Sequence, residues 1–359
     1  MKQLYNIVFL STIVLFFLTA LNAQYFIGGF PYIAYGNTDG SGDIPTIVFT
    51  GDIMLAREVE RIMGVTNPRY PFRGVENLLS HADVVVGNFE GSVPKEHIET
   101  PDFGFRFSVR NEFLQTLQDV GFDILSLANN HSFDFGEEGY MNTKERCIEI
   151  SLACVGKSGS AESFSVTTLQ SGNTTIGLFM LEVVTVFPET EDIVSVFAEL
   201  VRQTDVQIVY VHWGTEYEKN HSASQEILAH TLIDAGADAI IGHHPHVVQD
   251  IEIYHDRPIF YSLGNFVFDQ YFDQDVQEGL IVQLEIREQH LSYTLIPVSS
   301  INTPSQPQIM GIDQKEIFIA DLLSRSSVGK ELAHGHIITV PRYTSGLAST
   351  EINSTMGPQ

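Results

Sequence analysis

Six short apolar runs in this chain stop at residues that carry chemistry, and that recurrence constrains the fold more than any other feature. The sharpest case is Ala239-Ile240-Ile241-Gly242-His243-His244-Pro245-His246-Val247. A brief apolar run of this kind reads as a buried strand. It stops at a glycine, and three histidines follow within four residues. Pro245 lacks a backbone donor and has a fixed φ, so it stiffens the loop and limits where the flanking imidazoles point. Seven of the 13 histidines lie between His212 and His255.

The other five runs behave alike. Thr46–Phe49 leads into Gly51, Asp52 and Met54, and Asp83–Gly87 leads into Asn88 and Glu90. Phe122–Ala128 leads into Asn129, Asn130 and His131. Gln207–Val211 leads into His212, Trp213 and Glu216, and Pro258–Leu263 leads into Gly264 and Asn265. Helical patterns over Glu58–Gly64, Val75–His81, Asn111–Val120, Glu137–Ser151 and Gln225–Ala235 separate many of these runs. In the third of them Phe113, Leu114, Leu117 and Val120 share one face, and Gly121 closes the helix. Alternating strands and helices predict an α/β fold with a largely parallel sheet, its strand ends gathered on one edge. Val166–Leu169 with Thr175–Leu181 reads as a hairpin, and Leu280–Arg287 with Leu291–Pro297 as an antiparallel pair.

The first 23 residues are a different material. Lys2 precedes the apolar stretch Ile7–Leu21, and Leu21-Asn22-Ala23 resembles a cleavage position. Such a segment is a signal peptide or an uncleaved membrane anchor, and either places the rest outside the cytoplasm, in the periplasm or at the cell surface. Residues 24–43 read as a linker, 44–300 as the main domain, 301–344 as a C-terminal extension and 345–359 as a disordered tail. Asn37–Gly42 imitates a calcium loop, but Val48 stands where the bidentate glutamate belongs. A net charge of −26 and the absence of a basic stripe argue against nucleic acid as a partner. Cys147 and Cys154 are too close in sequence to form a framework and read as free or buried thiols. Asp269, Asp273 and Asp275 read as a solvated loop.

Carboxylate and amide oxygens with imidazoles, and no thiolate, suit divalent Mn, Fe, Zn or Mg. A set this rich can hold one or two ions. Paired ions activate a water and clamp the opposed oxygens of a displacement, commonly at phosphorus. No G-x-S-x-G elbow offers a competing nucleophile.

Six ordered motifs carry a resemblance: Gly51-Asp52-x-Met54, Asn88-x-Glu90, Ala128-Asn129-Asn130-His131-x-x-Asp134-x-Gly136, His212-Trp213-Gly214-x-Glu216-Tyr217, Gly242 to Val247, and Tyr261 to Phe266. Over about Ile44–Pro297 the chain is similar to the CapA family of poly-γ-glutamate capsule biosynthesis, within the calcineurin-like metallophosphoesterase superfamily. The resemblance implies a four-layer αββα sandwich of two mixed sheets. It implies metal ligation by Asp52, Glu90, Asn130, His212 and two of His243, His244 and His246. His131 would be the acid or charge stabiliser beside the leaving oxygen, with Asp52 also in the catalytic set. Asn88, Asn129, Trp213, Glu216 and Asn265 would line the substrate or support the ligands. The superfamily's Asp-x-His is here Asp52-Ile53-Met54, its bridging aspartate is Asn88, and its closing Gly-His-x-His is stretched by one residue.

The implied activity is an exported, metal-dependent hydrolase cutting a phosphoester or a γ-glutamyl amide, in making, exporting or anchoring an acidic surface polymer. The alternative is a non-catalytic, metal-stabilised scaffold among the subunits of a membrane synthase. An acidic chain that handles an acidic polymer needs local positive charge, from the ions and from Arg57, Arg69, Arg73 or Arg106.

Overall fold

The computed structural model describes residues 26–27, 30–34, 45–160, 162, 165–171, 173–329, 332–333 and 336–342. The leader with its cleavage position, the calcium-like loop at Asn37–Gly42 and the tail at 345–359 lie outside the described residues.

In chain order the elements begin with β1 (Phe26–Ile27), β2 (Phe30–Ala34), β3 (Thr46–Ile53), α1 (Arg57–Val65), α2 (Glu76–His81) and β4 (Val84–Phe89). Next come α3 (Asn111–Asp119), β5 (Ile124–Ser126), α4 (Gly136–Glu149), β6 (Ala153–Val155), β7 (Val166–Ser171), β8 (Thr174–Glu182) and α5 (Thr190–Val201). Then follow β9 (Val206–His212), α6 (Ala223–Asp234), β10 (Ala239–His243), β11 (Ile251–Tyr254), β12 (Arg257–Phe260) and β13 (Asn265–Val267). The chain continues with β14 (Glu278–Ile286), β15 (His290–Ser299), β16 (Gln308–Ile309), α7 (Ile312–Ser324), β17 (Leu332–Ala333) and β18 (Ile337–Pro341).

Among the described residues the strands form two sheets. One runs β1-β2-β7-β8-β9-β10-β12-β11, the other β17-β18-β15-β14-β3-β4-β5-β6, with β13 against β3 and β16 against β15. Both are mixed: in the second, β3-β4-β5-β6 are parallel out to the edge while β14, β15, β18 and β17 continue antiparallel on the other side. Side chains alternate across the pleat with period two. Ile47, Phe49, Val84, Val86, Ile208 and Tyr210 face into a core between the sheets. Their neighbours Val48 and Val85 pack outward against Phe113, Leu114 and Leu117 of α3. Val209 and Val211 pack outward against Phe197 of α5 and Leu228 of α6. The result is the four-layer sandwich of two mixed sheets that the resemblance implies.

Several expectations are corrected. The strand ends come from two sheets, not from one largely parallel sheet: β3, β4 and β5 lie in one and β9, β10 and β12 in the other. Phe30–Ala34, within the stretch read as linker, pairs in parallel with β7. Cys147 at the end of α4 and Cys154 in β6 form a disulfide, with Cα atoms 6.0 Å apart. The turn between them passes through Ser151 at φ +59°, which doubles the chain back so that the two thiols meet. Beyond residue 300, β18 pairs with β15, and Ile319 and Leu322 of α7 enter the core between the sheets.

A bridge of seven residues' separation confines the unfolded chain, an effect worth about 2 kcal/mol. Reduction, or Cys147→Ser, therefore lowers the thermal midpoint by a few degrees in a calorimetric scan. An unchanged midpoint with free thiols by titration contradicts the bridge's contribution.

Candidate metal centre

Register alone brings the polar strand ends together. In one sheet Asp52 lies opposite Asn88 on β4 and opposite Asn265 on β13. In the other, His243 lies opposite His212. The β3–β4 register shifts between Phe49 and Asp52, a bulge-like irregularity that re-aims the carboxylate. Gly51 is required there, since a Cβ on it would sit 2.1 Å from the Gly264 carbonyl oxygen. Tyr210 donates its hydroxyl to the Thr50 carbonyl at 3.1 Å, tying the two sheets together beneath the site.

Asp52 is fully buried and touches both sheets. Its Oδ1 accepts from Asn88 Nδ2 at 2.8 Å, and its Oδ2 accepts from the His244 backbone N–H at 3.3 Å. His246 Nδ1 is 3.1 Å from Oδ2, and His243 Nδ1 is 3.3 Å from Oδ1. Burial pushes the Asp52 carboxyl up, but His243 and His246 outweigh it and hold the group well below the usual carboxylate range.

Around Asn88 the donors and acceptors do not balance. Its Nδ2 has Asp52 Oδ1 at 2.8 Å, Glu90 Oε1 at 3.2 Å and His212 Nδ1 at 3.1 Å. His212 Nε2 meets the Asn130 side-chain oxygen at 2.9 Å, so the ring proton of a neutral imidazole sits on Nε2 and Nδ1 presents its lone pair. Three acceptors thus converge on an amide with two hydrogens. Burial and the facing imidazoles hold His212 neutral, its pKa well below the ordinary value. Burial, with Asp52 nearby, pushes the Glu90 carboxyl well above its ordinary value.

Asp52, Glu90 and His212 form one group of ligand atoms lying within 4.8 Å of one another, and Glu216, His244 and His246 form a second. The Asp52 carboxylate touches His246 of the second group, so the two groups adjoin. Glu90 Oε2, both ring nitrogens of His243, and His244 Nδ1 are buried without a hydrogen bond. Buried polar atoms are normally paired, and leaving one unpaired costs about 1–3 kcal/mol. A divalent ion in each group would satisfy acceptors of this kind, so the donor set fits the metal its chemistry suggests. His244 and His246 hold left-handed backbone at φ +96° and +59°, strain of the sort that clusters at functional sites. Burial and neighbouring imidazoles lower His244 to about 4, which keeps it neutral as a ligand must be.

The remaining candidates divide. Asn129 is buried and donates to Asn88 Oδ1 at 3.1 Å, fixing that amide. Asn265 Oδ1 meets His246 Nδ1 at 3.0 Å. His131 Nδ1 bonds Asp134 Oδ2 at 3.0 Å, and its ring packs on Phe107 with centroids 4.2 Å apart. Trp213 does not line the site. It is buried behind the histidine loop and donates to the Tyr261 carbonyl at 2.8 Å, because the wide indole fits beside Gly242. Met54 Sδ accepts from the Ala56 backbone at 3.0 Å and faces its own turn.

Asp269 is no solvated charge. Its Oδ2 accepts from Arg57 Nε and from the Glu58 backbone N–H, each at 3.1 Å, and the guanidinium lies 4.8 Å from the Phe107 ring centroid. Arg57 and Phe107, which support His131, carry no sequence signal beyond a lone charge and a lone aromatic. Arg57 and Arg69 are neutralised by Asp269 and Glu76, so neither supplies free positive charge.

A family model described as bacterial capsule synthesis protein PGA_cap matches residues 46–270. The capsule biosynthesis protein CapA of Bacillus anthracis is 32% identical over 295 residues, covering 76% of this chain and 72% of its own length. The PGA biosynthesis protein CapA of Bacillus subtilis strain 168 is 32% identical over 264 residues, 69% of either chain. A probable polyglutamine synthesis accessory protein of Mycobacterium tuberculosis is 24% identical over 288 residues, 64% of this chain and 76% of its own.

Asn88→Asp replaces the shared amide with a third carboxylate. Without metal this variant loses about 1–3 kcal/mol of stability through unpaired buried acceptors. Added Mn or Zn narrows the gap, as thermal melts with and without metal will show. A loss that metal leaves unchanged removes Asn88 from the centre.

Proposed function

The chain belongs to the bacterial capsule synthesis family PGA_cap, and from that premise we propose that it is a metal-dependent hydrolase acting on poly-γ-glutamate or a similar acidic surface polymer. The observation that carries this reading is the pair of adjoining histidine–carboxylate groups joined through Asp52, with buried acceptors left unpaired. Asp52, Glu90, His212, His244, His246 and Glu216 would hold one or two divalent ions, with Asn130 reaching the same cluster through His212. Bound there, such ions polarise a carbonyl or phosphoryl oxygen and activate water.

The chain's own side chains supply position and proton transfer. Asp134 occupies His131 Nδ1, which fixes the ring and leaves Nε2 to give or hold a proton at the leaving atom. Phe107 covers one ring face and restricts water there. Asn88 and Asn129 lock the ligand carboxylates in place through their linked amides. The bond cut is a γ-linked glutamyl amide or a phosphoester. The apolar stretch Ile7–Leu21 supports work outside the cytoplasm, and no helix among the described residues is long and apolar enough to cross a membrane.

One observation favours a second reading. Met54 takes the place of an imidazole in the superfamily pattern and is spent on its own backbone. In that reading the ions are structural and the chain is a scaffold within a polymer synthase.

Elemental analysis of protein purified without chelator is expected to give about one or two equivalents of Mn, Fe or Zn per chain at this centre, and a Glu90→Ala plus His212→Ala variant is expected to hold less metal than the wild type. Metal-free protein that takes up none of these ions on incubation overturns the hydrolase. His131→Ala is expected to keep the metal and lower turnover of γ-glutamyl peptides or phosphoesters by about 10²–10⁴-fold. Turnover that His131→Ala leaves intact removes His131 from the chemistry. A metal-loaded wild type inert on both substrate classes supports the scaffold.

A further inference from the structure

A third group of metal-binding side chains stands apart from the centre just described. His221, Glu226 and Glu252 offer ligand atoms within 4.8 Å of one another, and each is half-buried. Three elements contribute them. His221 lies just before α6, Glu226 lies in its first turn, and Glu252 comes from β11, the edge strand of its sheet.

We infer that these residues form a second, independent site for a divalent ion of the zinc type. The geometry of His221 carries the inference. The Asp250 carboxylate grips this residue twice, accepting from its backbone N–H at 2.9 Å and meeting Nδ1 at 2.7 Å. Its ring also stacks on Tyr261, with centroids 3.9 Å apart and planes 15° from parallel. With Nδ1 bound to Asp250, the ring nitrogen left for a ligand is Nε2. A carboxylate that binds the other nitrogen of an imidazole is what fixes tautomer and raises basicity at metal sites. Glu252 is likewise held in advance, accepting from the Tyr261 hydroxyl at 2.7 Å and meeting His230 Nε2 at 2.9 Å. His230 is four residues after Glu226 on α6 and so reaches Glu252 from the same helix face.

Two carboxylates and one imidazole, half open to solvent, match the ligands zinc accepts and leave a position for water. Filling the site would clamp the start of α6 to the edge strand that follows the histidine loop. Its effect is on stability and metal content, and it does not depend on hydrolysis at the main centre.

The test uses the full chain, stripped with chelator and titrated with Co(II), read by d–d absorption and by metal per chain. In a Glu90→Ala, His212→Ala and His244→Ala background, which disables both groups of the main centre, about one equivalent is expected to remain bound at micromolar Co(II). Adding His221→Ala removes it, and Asp250→Asn, which keeps the hydrogen bond to the ring but not the charge, weakens it about 10–100-fold. Glu226→Gln is the variant least able to disturb folding and also weakens binding, with an unchanged metal-free melting temperature. Binding that survives both His221→Ala and Glu226→Gln, or absence of Co(II) uptake at micromolar metal in the background with both groups of the main centre disabled, overturns the site.

Discussion

Everything near the centre depends on one buried carboxylate shared between two sheets. Asp52 sits at the end of a β3 strand that belongs to one sheet, yet it is met by a backbone N–H and two imidazoles from the other. A lone ion in that position would be too costly to bury, so each of its oxygens is matched by a donor. The bulge before it, the missing Cβ of Gly51 and the hydrogen bond from Tyr210 to Thr50 are the devices that let two sheet ends meet at that point. The histidine loop accepts two left-handed, non-glycine residues to reach it.

The charges follow from the same arrangement. Asp52 and Glu90 are neighbours, and burial, with the Asp52 charge added, pushes the Glu90 carboxyl up while the histidines hold Asp52 down. His212 and His244, desolvated and crowded by neighbouring imidazoles, stay neutral. Such a set of lone pairs has an excess of acceptors over hydrogens, most plainly at Asn88. That excess is the physical reason for a cation, and it makes the amide at Asn88 a tunable substitute for a bridging carboxylate.

Much of this was legible in the sequence because short apolar runs bounded by Asp, Asn and His announce buried strands with reactive ends. Asp52, Asn88, Glu90, His212 and His243 fall where those runs stop. The division of the strands between two sheets was not legible from periodicity, which records burial but not partners. The Cys147–Cys154 bridge depends on a tight turn at Ser151 that spacing does not reveal. The ion pair of Arg57 with Asp269 joins residues more than two hundred positions apart. Helix α5 did carry a signal, since Ile193, Phe197 and Leu200 recur at helical spacing and are fully buried. Helix α7 was obscured because Ile312 and Ile317 are apolar but exposed, which blurs its amphipathic face. For Trp213 the sequence left a substrate wall and a packing role equally open, and its burial beside Gly242 shows the packing role.

The most direct test of the central claim is anomalous diffraction from crystals of Mn- or Zn-loaded protein, collected on either side of the metal edge. The account predicts a strong peak among Asp52, Glu90 and His212, with a second among His244, His246 and Glu216 when two ions bind. Crystals grown with the metal that show no anomalous peak at either group would contradict it.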